Sequence, residues 1–161
     1  MQLCNAEIMK RIKQLNEEKE ACLSYEQMHG TLSYREGEKP TADPYSYAET
    51  RAKVDEIDRE VMHLRFLLAQ ANCTVILDGF GITIAEGLVK LAQLQNKASC
   101  LESLGDRPQI SRRLTSNGIL EFTECRYDAA AAREEVRAVR EEIGALQIAI
   151  DRANLIHLIE L

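Results

Sequence analysis

The chain is 161 residues long, 45% hydrophobic, 29% charged and only 5% aromatic, a balance that fits one globular domain and excludes a disordered chain. Its net charge of −6, with Arg112-Arg113 the only twin arginines, excludes the basic surface that a nucleic-acid binder needs to neutralise phosphates. No apolar run reaches the roughly 18 residues of a membrane span, and charges from Glu7 onward interrupt any secretory apolar segment.

In chain order, the first helix is expected from Gln2 to about Met28. Ile8, Ile12 and Leu15 follow a helical spacing and Gly30 offers a stop. The stretch 30–46 holds two glycines and two prolines and reads as a mobile or packing loop. The second helix has two candidate starts. Asp43 before Pro44 suits an N-cap with proline at the first helical position, and Ser46 with Glu49 offers a capping box one turn later. Its seam is Val54, Ile57, Val61, Leu64, Leu68 and Ala71, a heptad-like series. Met62, Phe66 and Leu67 make its second half apolar off the seam as well, so it needs a second covering surface.

Asp78 to Gly81, with Gly79 and Gly81, reads as a turn. Thr83 and Glu86 then form a capping box for the third helix. Its expected inner stripe is Ile84, Leu88, Leu91, Ala98 and Leu101, and it ends at Gly105 or Pro108. Between 109 and 127 the period changes. Leu120 and Phe122 alternate with polar residues, and Asn117-Gly118 marks the turn of a β-hairpin near 110–125. The last helix starts at the cap Asp128 and runs to about Ala153. Its seam is Val136, Val139, Ile143, Leu146, Ile150 and Ala153. The fold class is therefore mainly α: four long helices packed as coiled-coil-like hairpins in a single domain, 1–161, with a small β-hairpin insertion.

The second and fourth helices match at one constant offset, from Arg51 with Arg133 through Val54 with Val136 to Ala71-Asn72 with Ala153-Asn154. Asn72 and Asn154 are expected to close their helices, because asparagine tolerates the left-handed backbone. An apolar tail follows each, and the two helix–Asn–tail units are expected to pack as a long pair.

Chemistry is sparse. Glu60 and His63 have the i, i+3 spacing of half a di-metal carboxylate site. The repeat-equivalent positions are Glu142 and Ala145, so the second half is missing and a surface or interface histidine is the expected reading. Asp78-Gly79-Phe80-Gly81 lacks the third glycine of a dinucleotide loop and the lysine of a P-loop. No catalytic residue or cofactor is predicted. Cys4, Cys22, Cys73, Cys100 and Cys125 form no C-x-x-C and read as reduced thiols of a cytoplasmic protein.

Three stretches carry a resemblance: Glu36-Gly37-Glu38-Lys39-Pro40-Thr41-Ala42-Asp43-Pro44; Ala71-Asn72-Cys73-Thr74 with Asp78-Gly79; and Thr83-Ile84-Ala85-Glu86-Gly87-Leu88. Together they resemble the small bacterial septicolysin-like proteins, whose loop runs Glu-Gly-Glu-x-Pro-x-x-Asp-Pro. The chain departs from that pattern at Ala92-Gln93, where the family has Arg-Asp, and in its tail from Asn154 to His157. The family name implies a membrane-active protein. The residues themselves point instead to a non-enzymatic helical scaffold or interaction protein assembled as a homo-oligomer, with a Glu60/His63 metal protein as a further alternative.

Overall fold

The computed structural model describes residues 2–38, 41 and 44–160. Its elements are β1 (Gln2–Cys4), α1 (Asn5–His29), α2 (Tyr47–Thr74), α3 (Ile84–Gly105), β2 (Ile110–Leu114), β3 (Leu120–Glu124), α4 (Ala129–Ile156) and β4 (Leu158–Glu160). The protein is mainly helical, with two small antiparallel strand pairs, β1 with β4 and β2 with β3. The chain divides into two compact units: Met1–Asn72 with Asn154–Leu161, and Cys73–Ala153.

In the first unit, Ile8 and Leu15 of α1 share a buried cluster with Ile57, Val61 and Leu64 of α2. Leu3, Ile12, Leu68 and Ile159 pack against it. Ion pairs flank this core: Arg11 with Glu60 at 3.0 Å and Lys19 with Asp58 at 2.6 Å. At the far end of α1, Glu26 takes the guanidinium of Arg51 and the hydroxyl of Tyr45. Residues 2–4 pair with β4, Cys4 opposite Leu158, so they are a strand and α1 begins at Asn5, later than the expected Gln2.

The second unit has the same plan. Leu77, Ile84, Leu91, Leu146, Ala149 and Ile150 form its buried cluster, with Ile143 and Ala153 packed against it. Ile76 bridges Thr83 just before α3. The turn between them closes through Leu77 N–H donating to Ile82 O at 2.8 Å, with Gly79 and Gly81 at φ +79° and +66°, as the sequence predicts.

The two units are repeats in detail. Positions of α2 match those of α4 at one offset, as Val54 matches Val136, and positions of α1 match those of α3 at a slightly shorter one, as Glu7 matches Glu86. Cys4 and Thr83 precede their helices, and Glu7 and Glu86 accept their backbone N–H groups at 2.9 and 2.8 Å. The bridge Cys4–Leu158 corresponds to Thr83–Ile76. Arg133, the counterpart of Arg51, donates to the Gly105 carbonyl, and Gly105 is the counterpart of Glu26. Tyr127, the counterpart of Tyr45, donates to Leu104 O at 3.1 Å. Ser46 and Asp128 both cap, accepting from Glu49 N–H and Ala130 N–H.

Within each unit the seam packs on the helix that precedes it: Ile57, Val61 and Leu64 join Ile8 and Leu15 of α1, and Leu146 and Ile150 join Ile84 and Leu91 of α3. Three further expectations need correcting. Neither asparagine ends its helix. Among the described residues no residue other than glycine has positive φ, and both helices run on past Asn72 and Asn154, to Thr74 and Ile156, before the paired tails take over the backbone. Leu88 is 46% exposed, and Gly87 occupies the buried stripe instead. The α2 start lies at Ser46 and Tyr47, with Pro44 outside the helix, while Asp43 lies outside the described residues.

Candidate functional site at the hairpin and its base

The feature that sets the second unit apart is the hairpin between α3 and α4. β2 and β3 pair in the register Ile110–Glu124, Ser111–Thr123, Arg112–Phe122, Arg113–Glu121 and Leu114–Leu120. Gly118, at φ +75°, makes the turn, with Gly118 N–H on Thr115 O at 3.0 Å and Thr115 N–H on Ile119 O at 2.8 Å. Asn117-Gly118 is thus the turn the sequence predicts, and residues 110–114 and 120–124 are its strands.

Strand alternation divides the hairpin into two faces. One carries Ser111, Arg113, Glu121 and Thr123. The other carries Ile110, Leu114, Leu120 and Phe122 with Arg112 and Glu124. Those four apolar residues are 58%, 67%, 48% and 66% exposed. A hairpin with one apolar face and no covering layer is marginal in water, so this face is a place where a partner would stabilise the protein.

At the base of the hairpin is a pocket of about 350 Å³ whose lining includes Arg107, Ser111, Thr123, Cys125, Arg126 and Tyr127. The hydrogen bond with the Cys125 thiol holds the Tyr127 phenol above its usual pKa; withdrawal from water adds to this and Arg107 opposes it. The Gln109 amide closes the base, donating to Cys125 O and Tyr127 O at 3.0 Å each. This arrangement holds the phenol neutral and anchors the hairpin to the start of α4. The sequence marks the turn but not the pocket, because the pocket residues are loop and strand-end positions with no spacing signature.

Glu60 and His63, the metal candidates of the sequence, lie on the surface of α2. Glu60 is engaged by Arg11, and His63 is exposed on α2. Among the described residues no group of three or more His, Cys, Asp or Glu is disposed to hold a metal ion. The structure also shows a cleft of about 410 Å³ in the first unit, lined by Cys22, Tyr25, Glu49 and Lys53 among others. At the repeat-equivalent positions of the second unit, Lys97 and Glu135 form an ion pair at 2.7 Å.

No protein-family model matches the chain, and no curated protein matches it. A solved structure of a functionally unknown conserved protein from Corynebacterium diphtheriae is similar in fold, with a TM-score of 0.61 and 18% identity. The similarity covers 99% of this chain and 100% of that one.

Proposed function

We propose that this protein belongs with the septicolysin-like proteins its loop resembles, and that it is a non-enzymatic helical scaffold or interaction protein that works as a homo-oligomer in the cytoplasm. Each unit acts as a coiled-coil-like helix hairpin. The observation that carries the reading is a pair of repeat-equivalent side chains. Phe66 on α2 and Ile148 on α4 stand at the same offset as Val54 and Val136, and both are 63% exposed. Met62, one turn before Phe66, is 68% exposed. Apolar residues repeated at one outward position of two long helices mark a surface that is covered in the working assembly.

Light scattering across a micromolar concentration range tests this. A mass that is a multiple of 18.2 kDa supports the reading, and a constant 18.2 kDa contradicts it. The membrane-active alternative has a separate test, dye release from liposomes. Among the described residues no helix is long and apolar enough to cross a membrane.

A further inference from the structure

Every residue of β2 and β3 is exposed. In an antiparallel pair the residues alternate between those bonded to the partner strand and those whose N–H and C=O point away. Cys125 N–H bonds Gln109 O and Thr115 N–H bonds Ile119 O. The inward-bonding residues are therefore 111, 113, 121 and 123. The backbone groups of Leu120, Phe122 and Glu124 point outward along the β3 edge, and those of Ile110, Arg112 and Leu114 along the β2 edge. The side chains of these same six residues share the face that carries Ile110, Leu114, Leu120 and Phe122.

We propose that the β3 edge is the docking surface for the β3 edge of a second copy of this chain, the two strands pairing antiparallel about a two-fold axis at Phe122. The proposal rests on the reading that the chain self-associates, and it names one contact of that assembly. With the axis at Phe122, the two Phe122 residues become a hydrogen-bonded pair and Leu120 of each copy lies opposite Glu124 of the other. Glu121 lies opposite Thr123, so no like charges meet. The product is a four-stranded antiparallel sheet whose two Phe122 side chains meet at the centre of one face, which removes both the marginality of a lone hairpin and its open β3 edge.

The other occupants fit less well. Symmetric pairing of the β2 edges about its central residue places Arg112 opposite Arg112, a repulsive pair. Pairing β2 with β3 brings arginines to glutamates but is head-to-tail and does not close, so it generates filaments. The hairpin tip is the polar turn Thr115-Ser116-Asn117-Gly118, which offers a bilayer no apolar leading residue.

The test is residue-resolved amide hydrogen exchange on the full chain at low and high concentration, with light scattering on the same samples. The proposal predicts that the amides of Leu120, Phe122 and Glu124 gain protection as the oligomer forms, while those of Glu121 and Thr123 are protected throughout. Phe122→Lys should abolish the gained protection and weaken association by about tenfold or more, with protection in the Ile8 and Leu146 cores unchanged. Fast exchange at 120, 122 and 124 in samples that scatter as oligomers overturns this contact and leaves the oligomer standing. Protection of Ile110, Arg112 and Leu114 in their place overturns it too, as does protection that needs added phosphatidylcholine–phosphatidylglycerol vesicles. A monomer at every concentration overturns both readings.

Discussion

Glu7 and Glu86 occupy the same position in the two units, each accepting the backbone N–H of the residue before its helix. Those hydrogen bonds hold both carboxyls below their usual pKa. A lowered folded-state pKa contributes stability above the unfolded carboxylate range and loses it as pH falls through the folded value. The melting temperature should therefore drop on acidification, and the Glu7→Gln/Glu86→Gln protein should show a shallower drop. Thr83→Ala should cost about 1 kcal/mol in urea unfolding, the usual value of a helix cap. The Thr83 box is legible in the sequence because threonine is a recognised cap; the Cys4–Glu7 start is not, because cysteine is not. Asn154 illustrates a subtler limit. Its sequence position suggests a helix stop, yet its side-chain oxygen accepts from the buried Asn5 amide at 3.0 Å, and the other oxygen of that pair, Asn5 Oδ1, has no partner. Asn154→Ala leaves Asn5 buried with neither group bonded, so it should destabilise by about 1–3 kcal/mol. A loss under about 0.5 kcal/mol would show that the pair is not sustained in solution.

At the scale of elements, helical period and spacing locate all four helices and the hairpin turn. Within the α2 and α4 seams Ile57, Leu64, Val139 and Leu146 are buried, while Leu68, Val136 and Ile143 are half-buried. What spacing alone does not supply is the partner of each seam, since any two helices with heptad-like stripes are compatible on paper. The strands β1 and β4 are also hidden in the sequence, being three residues each and meaningful only when paired across the length of the chain. Glycine placement offers an opposed pair of predictions. A Cβ at Gly87 would lie 2.5 Å from Leu77 Cδ1, and Leu77 is fully buried in the core of the second unit. Gly87→Ala should therefore destabilise by about 1–3 kcal/mol despite the better helix propensity of alanine. Gly144, also inside a helix, has nothing within 4 Å of a Cβ. Gly144→Ala should stabilise by about 0.5–1 kcal/mol. Chemical denaturation of both proteins reads the two signs directly. Only the structure separates these two glycines, because both look like interruptions of a helical run.

At the scale of the whole molecule, the chain consists of two repeats of one plan, and they differ most where the connection between their helices lies. In the first unit Tyr45 and Arg51, ahead of and within α2, bond Glu26 near the end of α1. The second has a β-hairpin at that place, held by Tyr127 and Arg133 on the end of α3. The repeat is visible in the sequence of α2 and α4, whose seams match position by position. The match of α1 to α3 is not, because those helices share a cap and a few apolar positions rather than a continuous pattern. Large apolar side chains remain exposed on α2, on α4 and on the hairpin, and burying them is what an assembly of copies would accomplish. The mass of the full chain in solution bears on this most directly. Light scattering from dilute to concentrated micromolar samples should return a multiple of 18.2 kDa that falls on dilution or on Phe66→Lys substitution; a mass fixed at 18.2 kDa throughout would contradict the account.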